Sequence, residues 1–348
     1  MKVGAKMMKE VVITKPYEYE IREVPIPELE DDYQVLIKMK AAGVCGSDYH
    51  IYHGANPNST YPRIPGHENA GVVVKVGSKV TRVKEGDRVV VDLIITCGQC
   101  YQCKIGRENI CENVKVRGSG VDGGFREYFT APEDDVYVIP NSIDFKDAAL
   151  IEPFAIGAHC TNRGKVVPGD IVFILGTGTI GSIILQTCKN KGCTVICCDI
   201  DDETLERAKA YGADYIINSR KENVVERVQE ITNRKGVTIA FDSACFQGSL
   251  TSLFEPGLVR NAGRVVNLGF TTAPESISQA MLAQRELDLI SSRMSCYQFE
   301  PVIEKFANNE FNLDGLVTTP IKFDEIDKVF HYMDNPDPKV KKMVILFD

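Results

Sequence analysis

The chain has 348 residues, long for one hydrophobic core and comfortable for two domains. Its 44% hydrophobic and 25% charged residues are those of an ordinary globular protein, and a net charge of −8 with no long basic run argues against a nucleic-acid partner. The opening "MKVGAKMMKE" has no apolar core like that of a signal peptide, and no later apolar run approaches a membrane span, so a cytoplasmic protein with reduced thiols and no membrane partner is expected.

The first 150 residues read as β-rich. "YQVLIKMKA" (33–41) alternates apolar and polar side chains as a half-buried strand does. "GVVVKVG" (71–77) and "DRVVVDL" (87–93) are short β-branched runs set off by glycine and "KEGD" turn signals. Short strands between long irregular loops predict a barrel-like domain. One loop, "TCGQCYQCKIGRENIC" (96–111), holds four of the chain's 12 cysteines in a C-x2-C-x2-C-x7-C spacing. In a reducing compartment that density points to metal over disulfides. Cys97, Cys100, Cys103 and Cys111 suit a closed tetrahedral zinc site. An iron–sulfur cluster is the rival, weakened by the long last spacing and by the lack of a proline after Cys111. A zinc held by four thiolates has no vacant position, so this site is expected to staple a loop and not to catalyse.

From "VVPGDIVFILGTGTIG" (166–181) strands and helices alternate. "DIVFIL", "TVICCD", "DYIIN", "VTIAFDS", "RVVNLGF" and "LDLISS" read as strands. "TIGSIILQTCKNK", "DETLERAKAYG" and "ENVVERVQEIT" read as helices, and the rhythm predicts a doubly wound parallel sheet of the Rossmann kind in an α/β protein. Cys188, Cys193, Cys197 and Cys198 lie in this apolar setting and read as small buried hydrophobes. After about residue 296 come one or two helices and the closing strand "KKMVILF" (341–347).

Gly176, Gly178 and Gly181 have the G-x-G-x-x-G spacing, with Ile180 inside it, between a predicted strand and a predicted helix. That context places a dinucleotide pyrophosphate at the helix N-terminus. Asp199 ends the next strand, where a carboxylate bonds the ribose hydroxyls of NAD and repels the 2′-phosphate of NADP. Asp201, Asp202 and Glu203 add to that repulsion, and no Arg or Lys stands beside Asp199.

Three more stretches carry chemistry. "GVCGSDYHIYHG" (43–54) has Cys45, Ser47, Asp48 and His50; "GHENAGVVVKVGSKV" (66–80) has His67 and Glu68; "ALIEPFAIGAH" (149–159) has Glu152. Cysteine, histidine and carboxylate drawn from distant segments are what an open zinc site needs. Here the chain resembles the zinc-dependent medium-chain alcohol and polyol dehydrogenases. "GHENAGVVVKVGSKV" matches that family's G-H-E-x2-G-x5-G-x2-V signature throughout. "CGSD", the four-cysteine loop, "IEP" and the glycine motif extend the resemblance essentially end to end. It implies a chaperonin-like β-barrel catalytic domain from 1–150 and 296–348, and a Rossmann NAD-binding domain at 151–295.

"IEP" resembles the sorbitol and threonine dehydrogenase branch. By that resemblance Cys45, His67, Glu68 and Glu152 are catalytic zinc ligands, Glu152 directly or through water, and Asp48 fixes the His67 tautomer. Ser47, the cofactor ribose and His50 would relay the proton, while a zinc-stabilised alkoxide passes hydride to NAD. Leu268, Gly269 and Phe270, with Ser292, Arg293 and Met294, resemble the family's cofactor-contact strands, and Arg293 also matches an arginine facing the substrate.

The resemblance implies two zincs per chain, a homodimer or homotetramer, and a polyol, sugar alcohol phosphate or sugar acid as substrate. Ile51 and Met294 stand where sorbitol dehydrogenase has aromatic residues. "HIYHGANP", "YPRIPGHE" and "DGGFREY" look closer to a bacterial branch of L-gulonate-type dehydrogenases and a starvation-sensing protein. An acid substrate would want a cationic clamp, for which Arg117 and Arg293 are candidates, with a solvated surface position the alternative for Arg117. Two other readings are an NAD- and zinc-binding sensing protein without turnover, and a zinc-free quinone or enoyl reductase of the same fold. The latter would not need Cys45, His67, Glu68 and Glu152 together.

Overall fold

In the computed structural model, which describes residues 6–57, 59–269 and 273–348, the stretch read as a half-buried strand forms Gln34–Val44 and is buried along most of its length. The reason is pairing on both edges. Glu68–Val76 runs antiparallel along one edge, with register shifts at Leu36/Ile37 and Met39/Ala41. Tyr128–Pro132 pairs with the first half of the other edge and Met343–Leu346 with the second half. Bulges of this kind bend a sheet and help it curl. Arg88–Val91 and Val136–Val138 extend the sheet beyond Glu68–Val76, and Thr319–Lys322 lies parallel to Met343–Leu346, making seven strands in all. The side chains inside, among them Ile37, Met39, Phe125, Phe129 and Phe330, are almost wholly shielded from water.

The second sheet has six parallel strands in the order Tyr215–Asn218, Thr194–Asp199, Ile171–Leu175, Val237–Asp242, Val259–Asn267, Asp288–Ser291. In chain order that is 3-2-1-4-5-6, the doubly wound arrangement whose direction of winding reverses beside its first strand. The glycine turn leaves that first strand, Ile171–Leu175, at the reversal, where ligands bind such sheets. Helices Thr179–Asn190, Asp202–Ala210 and Val224–Ile231 follow three of the strands. Phe173, Ile196, Ala240 and Val265 pack the centre.

The chain divides into two compact units. One holds the residues up to Glu152 with Phe299–Asn309 and Leu313–Asp348; the other holds Pro153–Gln298 with Glu310–Asn312. The first division falls within the helix Ile151–Arg163, which carries Glu152 in its first turn. Among the described residues no helix is long and apolar enough to cross a membrane.

Candidate functional site

Strand pairing gathers the expected catalytic ligands. Gly43 pairs with Glu68 across one edge of Gln34–Val44, and Val44 pairs with Met343 across the other. Position 43 is glycine because a Cβ there would run into the Glu68 carboxylate. Cys45 then caps the helix Gly46–Tyr52: the Asp48 carboxylate accepts the Cys45 N–H at 2.9 Å and, with its other oxygen, the Gly66 N–H at 3.2 Å. Asp48 Oδ1 also stands 3.8 Å from His67 Nδ1. Donor atoms of Cys45, His67 and Glu68 all lie within 4.8 Å of one another. Zinc–ligand bonds of about 2.0 to 2.3 Å span that with small side-chain adjustments.

The electrostatics suit a metal. Burial opposes ionisation of Cys45, but a hydrogen bond to His67 and its charge outweigh it and lower the thiol. Burial also opposes the His67 imidazolium, and Asp48 and Cys45 outweigh it, raising the ring well above its usual range. An ion taking both ligands therefore displaces a proton from this pair. Glu152 is buried and held well above the usual carboxylate range by burial, with Glu68 and Cys45 adding to the effect. It stands outside the 4.8 Å set, so the structure gathers three of the four expected ligands and leaves Glu152 as a neighbour.

Lys342 was not anticipated. Its Nζ donates to both Glu68 oxygens at 2.5 Å and to the Val44 carbonyl at 3.0 Å, and the pair is buried. Burial pushes the ammonium down, but Glu68 and Cys45 outweigh it and raise it. Lysine at the head of an apolar strand normally reads as solvent-facing; only the pairing of Met343 with Val44 turns it inward. Lys342→Met leaves a carboxylate buried without its cation and is expected to cost about 3 kcal/mol in urea unfolding. Adding Glu68→Gln should recover most of that loss. Additive losses in the double variant would show that the two do not act as a pair.

The four-cysteine loop is a second donor set. Sγ separations are 3.5 Å for Cys100–Cys103, 3.8 Å for Cys100–Cys111 and 3.5 Å for Cys97–Cys111. A disulfide would need about 2.0 Å, whereas sulfurs about 2.3 Å from one tetrahedral ion stand about 3.8 Å apart. The Cys97 and Asn113 N–H groups donate to Cys111 Sγ, the kind of support a thiolate requires. Backbone donors at Gln99 and Cys100 pull the Cys97 thiol down to about 6.

Arg117 departs from the expectation of a substrate clamp and from that of a surface position. It is buried, with one guanidinium nitrogen 2.6 Å from Asp135 Oδ2 and the other donating to the Asp92 carbonyl at 3.0 Å. Its charge ties the foot of the cysteine loop to the barrel. Burial pushes the neighbouring Asp92 carboxyl up to about 7, aided by Asp135 and opposed by the Ile94 N–H and by Arg117. Unfolded, this group titrates near its ordinary 3.8. Between about pH 4 and pH 7 the folded state thus keeps a proton that the unfolded chain has lost, and stability falls as pH rises through that window. Asp92→Asn is expected to change little at pH 4 and to stabilise by roughly 2 kcal/mol at pH 8. An equal effect at both pH values in thermal melts would refute this.

In the second unit, Gly178 caps the helix Thr179–Asn190, and Ile180 and Gly181 lie in its first turn. The Asp199 carboxylate accepts the Thr177 N–H at 2.7 Å with Oδ2, and the Ile200 and Asp201 N–H groups at 2.7 and 3.2 Å with Oδ1. Along the chain no basic residue adjoins Asp199. Asn218 pairs with Asp199, and Lys221 just beyond it bonds Asp202 at 2.5 Å. The Gly269 N–H donates to Asn267 Oδ1, and the Ser292 N–H to the Asn267 carbonyl. Among the described residues Ser292 Oγ is buried without a partner; Met294 has a positive φ of 52°, and Leu268 and Arg293 flank these positions. Phe270 lies outside the described residues. Ser47 and His50 share one face of the helix Gly46–Tyr52, Ser47 half-buried and His50 exposed.

Residues 31–141 match the alcohol dehydrogenase GroES-like domain, and residues 179–308 the zinc-binding dehydrogenase domain. The chain belongs to the zinc-dependent alcohol dehydrogenase family. It is 36% identical over 346 residues to the starvation-sensing protein RspB of Escherichia coli K12, covering 98% of this chain and 99% of that one. It is 37% identical over 317 residues to the sorbitol dehydrogenase of Bacillus subtilis, 89% of each chain. The NADH complex of the rspB alcohol dehydrogenase of Escherichia coli CFT073 superposes with a TM-score of 0.92 at 35% identity, covering 99% of this chain and 100% of that one. This dehydrogenase is therefore an oxidoreductase acting on CH–OH groups, with a GroES-like domain and a parallel-sheet Rossmann domain.

Proposed function

We propose that this dehydrogenase oxidises a secondary hydroxyl of a polyol, sugar alcohol phosphate or sugar acid to a ketone, with NAD as hydride acceptor and two zinc ions per chain. The observation that carries the reading is the convergence of Cys45 with the adjacent His67 and Glu68 from two separate segments, beside a closed set of four cysteines that needs no further ligand. Cys45, His67 and Glu68 would hold the catalytic ion with Glu152 beside them, and Cys97, Cys100, Cys103 and Cys111 the structural one. When bound, the catalytic zinc supplies Lewis acidity that lets the substrate hydroxyl lose its proton near neutral pH.

The polypeptide does the rest. Lys342 offsets the charge of Glu68, so one thiolate and one further carboxylate balance a divalent ion. Asp48, held by two backbone N–H groups, fixes the His67 ring. Ser47 would accept the hydroxyl proton while giving up its own toward His50, which is exposed on the same helix face and would release a proton to water. Asp199 receives the adenosine ribose of NAD. With its guanidinium committed to Asp135, Arg117 does not serve as a clamp for a substrate carboxylate or phosphate.

The test is a panel of polyols, sugar alcohol phosphates and aldonates assayed for NADH formation, beside binding of NAD and NADP. Turnover of one class with NAD preferred is expected. No hydride transfer to any of them by zinc-loaded protein that binds NADH would favour a sensing role, and equal affinity for NAD and NADP would contradict the role given to Asp199.

A further inference from the structure

Ser243 lies one residue past the strand Val237–Asp242 and belongs to neither the metal set nor the expected cofactor contacts. We propose that Ser243 is a positioning residue for the ribose-reading Asp199, acting through the peptide that joins Gly176 to Thr177; this rests on the NAD reading above.

The argument starts from strand register. Leu175 pairs with Asp242, so the loops leaving these two parallel strands run side by side. The Ser243 N–H donates to the Leu175 carbonyl at 3.0 Å, one step past the ladder. Its Oγ lies 2.5 Å from the Gly176 carbonyl and 3.0 Å from that of Leu175, and its single proton goes to the nearer. On the other side of the same planar peptide, the Thr177 N–H donates to Asp199 Oδ2 at 2.7 Å. Ser243 and Asp199 thus grip one peptide unit at its opposite edges.

The surroundings leave that peptide little freedom except by rotation. Gly176 has a φ of 83°, and a Cβ there would come within 2.9 Å of Ala244. A Cβ on Gly181 would meet the Gly176 carbonyl and, at 2.9 Å, Ser243 Oγ. Asp242 holds the loop in place: it is buried, Oδ1 accepts the Cys245 N–H at 3.1 Å, and Oδ2 accepts the Ser249 hydroxyl at 2.7 Å. Glycine permits the Gly176–Thr177 peptide to turn over at little cost, so the serine hydroxyl is what selects the orientation that aims the Thr177 N–H at Asp199. Removing the hydroxyl would loosen the Asp199 carboxylate without touching the core.

The test is equilibrium titration with NADH and with NADPH, followed by nucleotide fluorescence. Ser243→Ala is expected to raise the NADH dissociation constant about tenfold, the loss of one hydrogen bond's worth of order, and to narrow the preference for NADH over NADPH. Ser243→Thr, which keeps the hydroxyl, should return both to within about threefold of the unmodified protein. Zinc content and the melting temperature without nucleotide should stay as they were. Unchanged NADH binding in Ser243→Ala overturns the inference, as does a threonine variant as weak as the alanine one. A large fall in melting temperature also counts against it, because the role would then be structural. Failure of the unmodified protein to bind NADH would overturn the cofactor reading and this inference together, whereas equal binding by the unmodified protein and Ser243→Ala overturns the inference alone.

Discussion

Cys45→Ser is expected to remove one of two zinc ions per chain and to lower NADH formation at least 10^3-fold, with the melting temperature within a few degrees of the unmodified protein. A neutral serine hydroxyl is a far poorer zinc ligand than a thiolate. Cys45 sits at the end of a strand whose pairing runs through backbone groups, and it caps its helix through its own N–H and carbonyl, which serine retains. The fold therefore loses little. Activity loses the Lewis acid, an effect of several kcal/mol, and each 1.36 kcal/mol is tenfold in rate. The check is metal analysis and initial rates on the same preparation. Full activity with two zincs retained would remove Cys45 from the site.

Cys103→Ser is expected to do the reverse. The loop from Cys97 to Cys111 contains one short helix, Tyr101–Lys104, a three-residue turn of 3-10 helix and little apolar side chain of its own, with Tyr101 and Ile105 exposed. Its order comes from the four thiols, so metal binding there acts as local folding energy. Losing one ligand should cost at least about 3 kcal/mol, or roughly 8 °C in melting temperature, and make the protein sensitive to chelators at temperatures the unmodified protein withstands. The catalytic ion and most of the turnover at low temperature should remain. A Cys103→Ser protein as stable as the parent would show that the loop holds itself without metal.

Much of this was readable from residue order because the signals are local. The glycine spacing, the strand before it and Asp199 after it lie within a few dozen residues, and the parallel sheet repeats the same unit several times. The four cysteines fall within 15 positions, so their convergence needs only a loop. What sequence order hid is pairing over long range. Lys342 reaches Glu68 across 274 positions, and only the return of the closing strand to Val44 brings it there. Arg117 looked free because its partner Asp135 is 18 positions away in an irregular segment. The hairpin Met7–Lys15 with Glu18–Pro25 also went unread: its second strand is rich in glutamate and mostly exposed, so hydrophobic alternation is faint. Ser243 carries no motif at all, since its role lies in one hydroxyl against one carbonyl.

The most direct test of the central claim is anomalous diffraction at the zinc absorption edge from crystals of the zinc-loaded protein. Two peaks per chain are expected, one enclosed by Cys97, Cys100, Cys103 and Cys111 and one bonded to Cys45 and His67 with a carboxylate alongside. A single peak at the four cysteines, with Cys45 and His67 bonded only to each other, would contradict it.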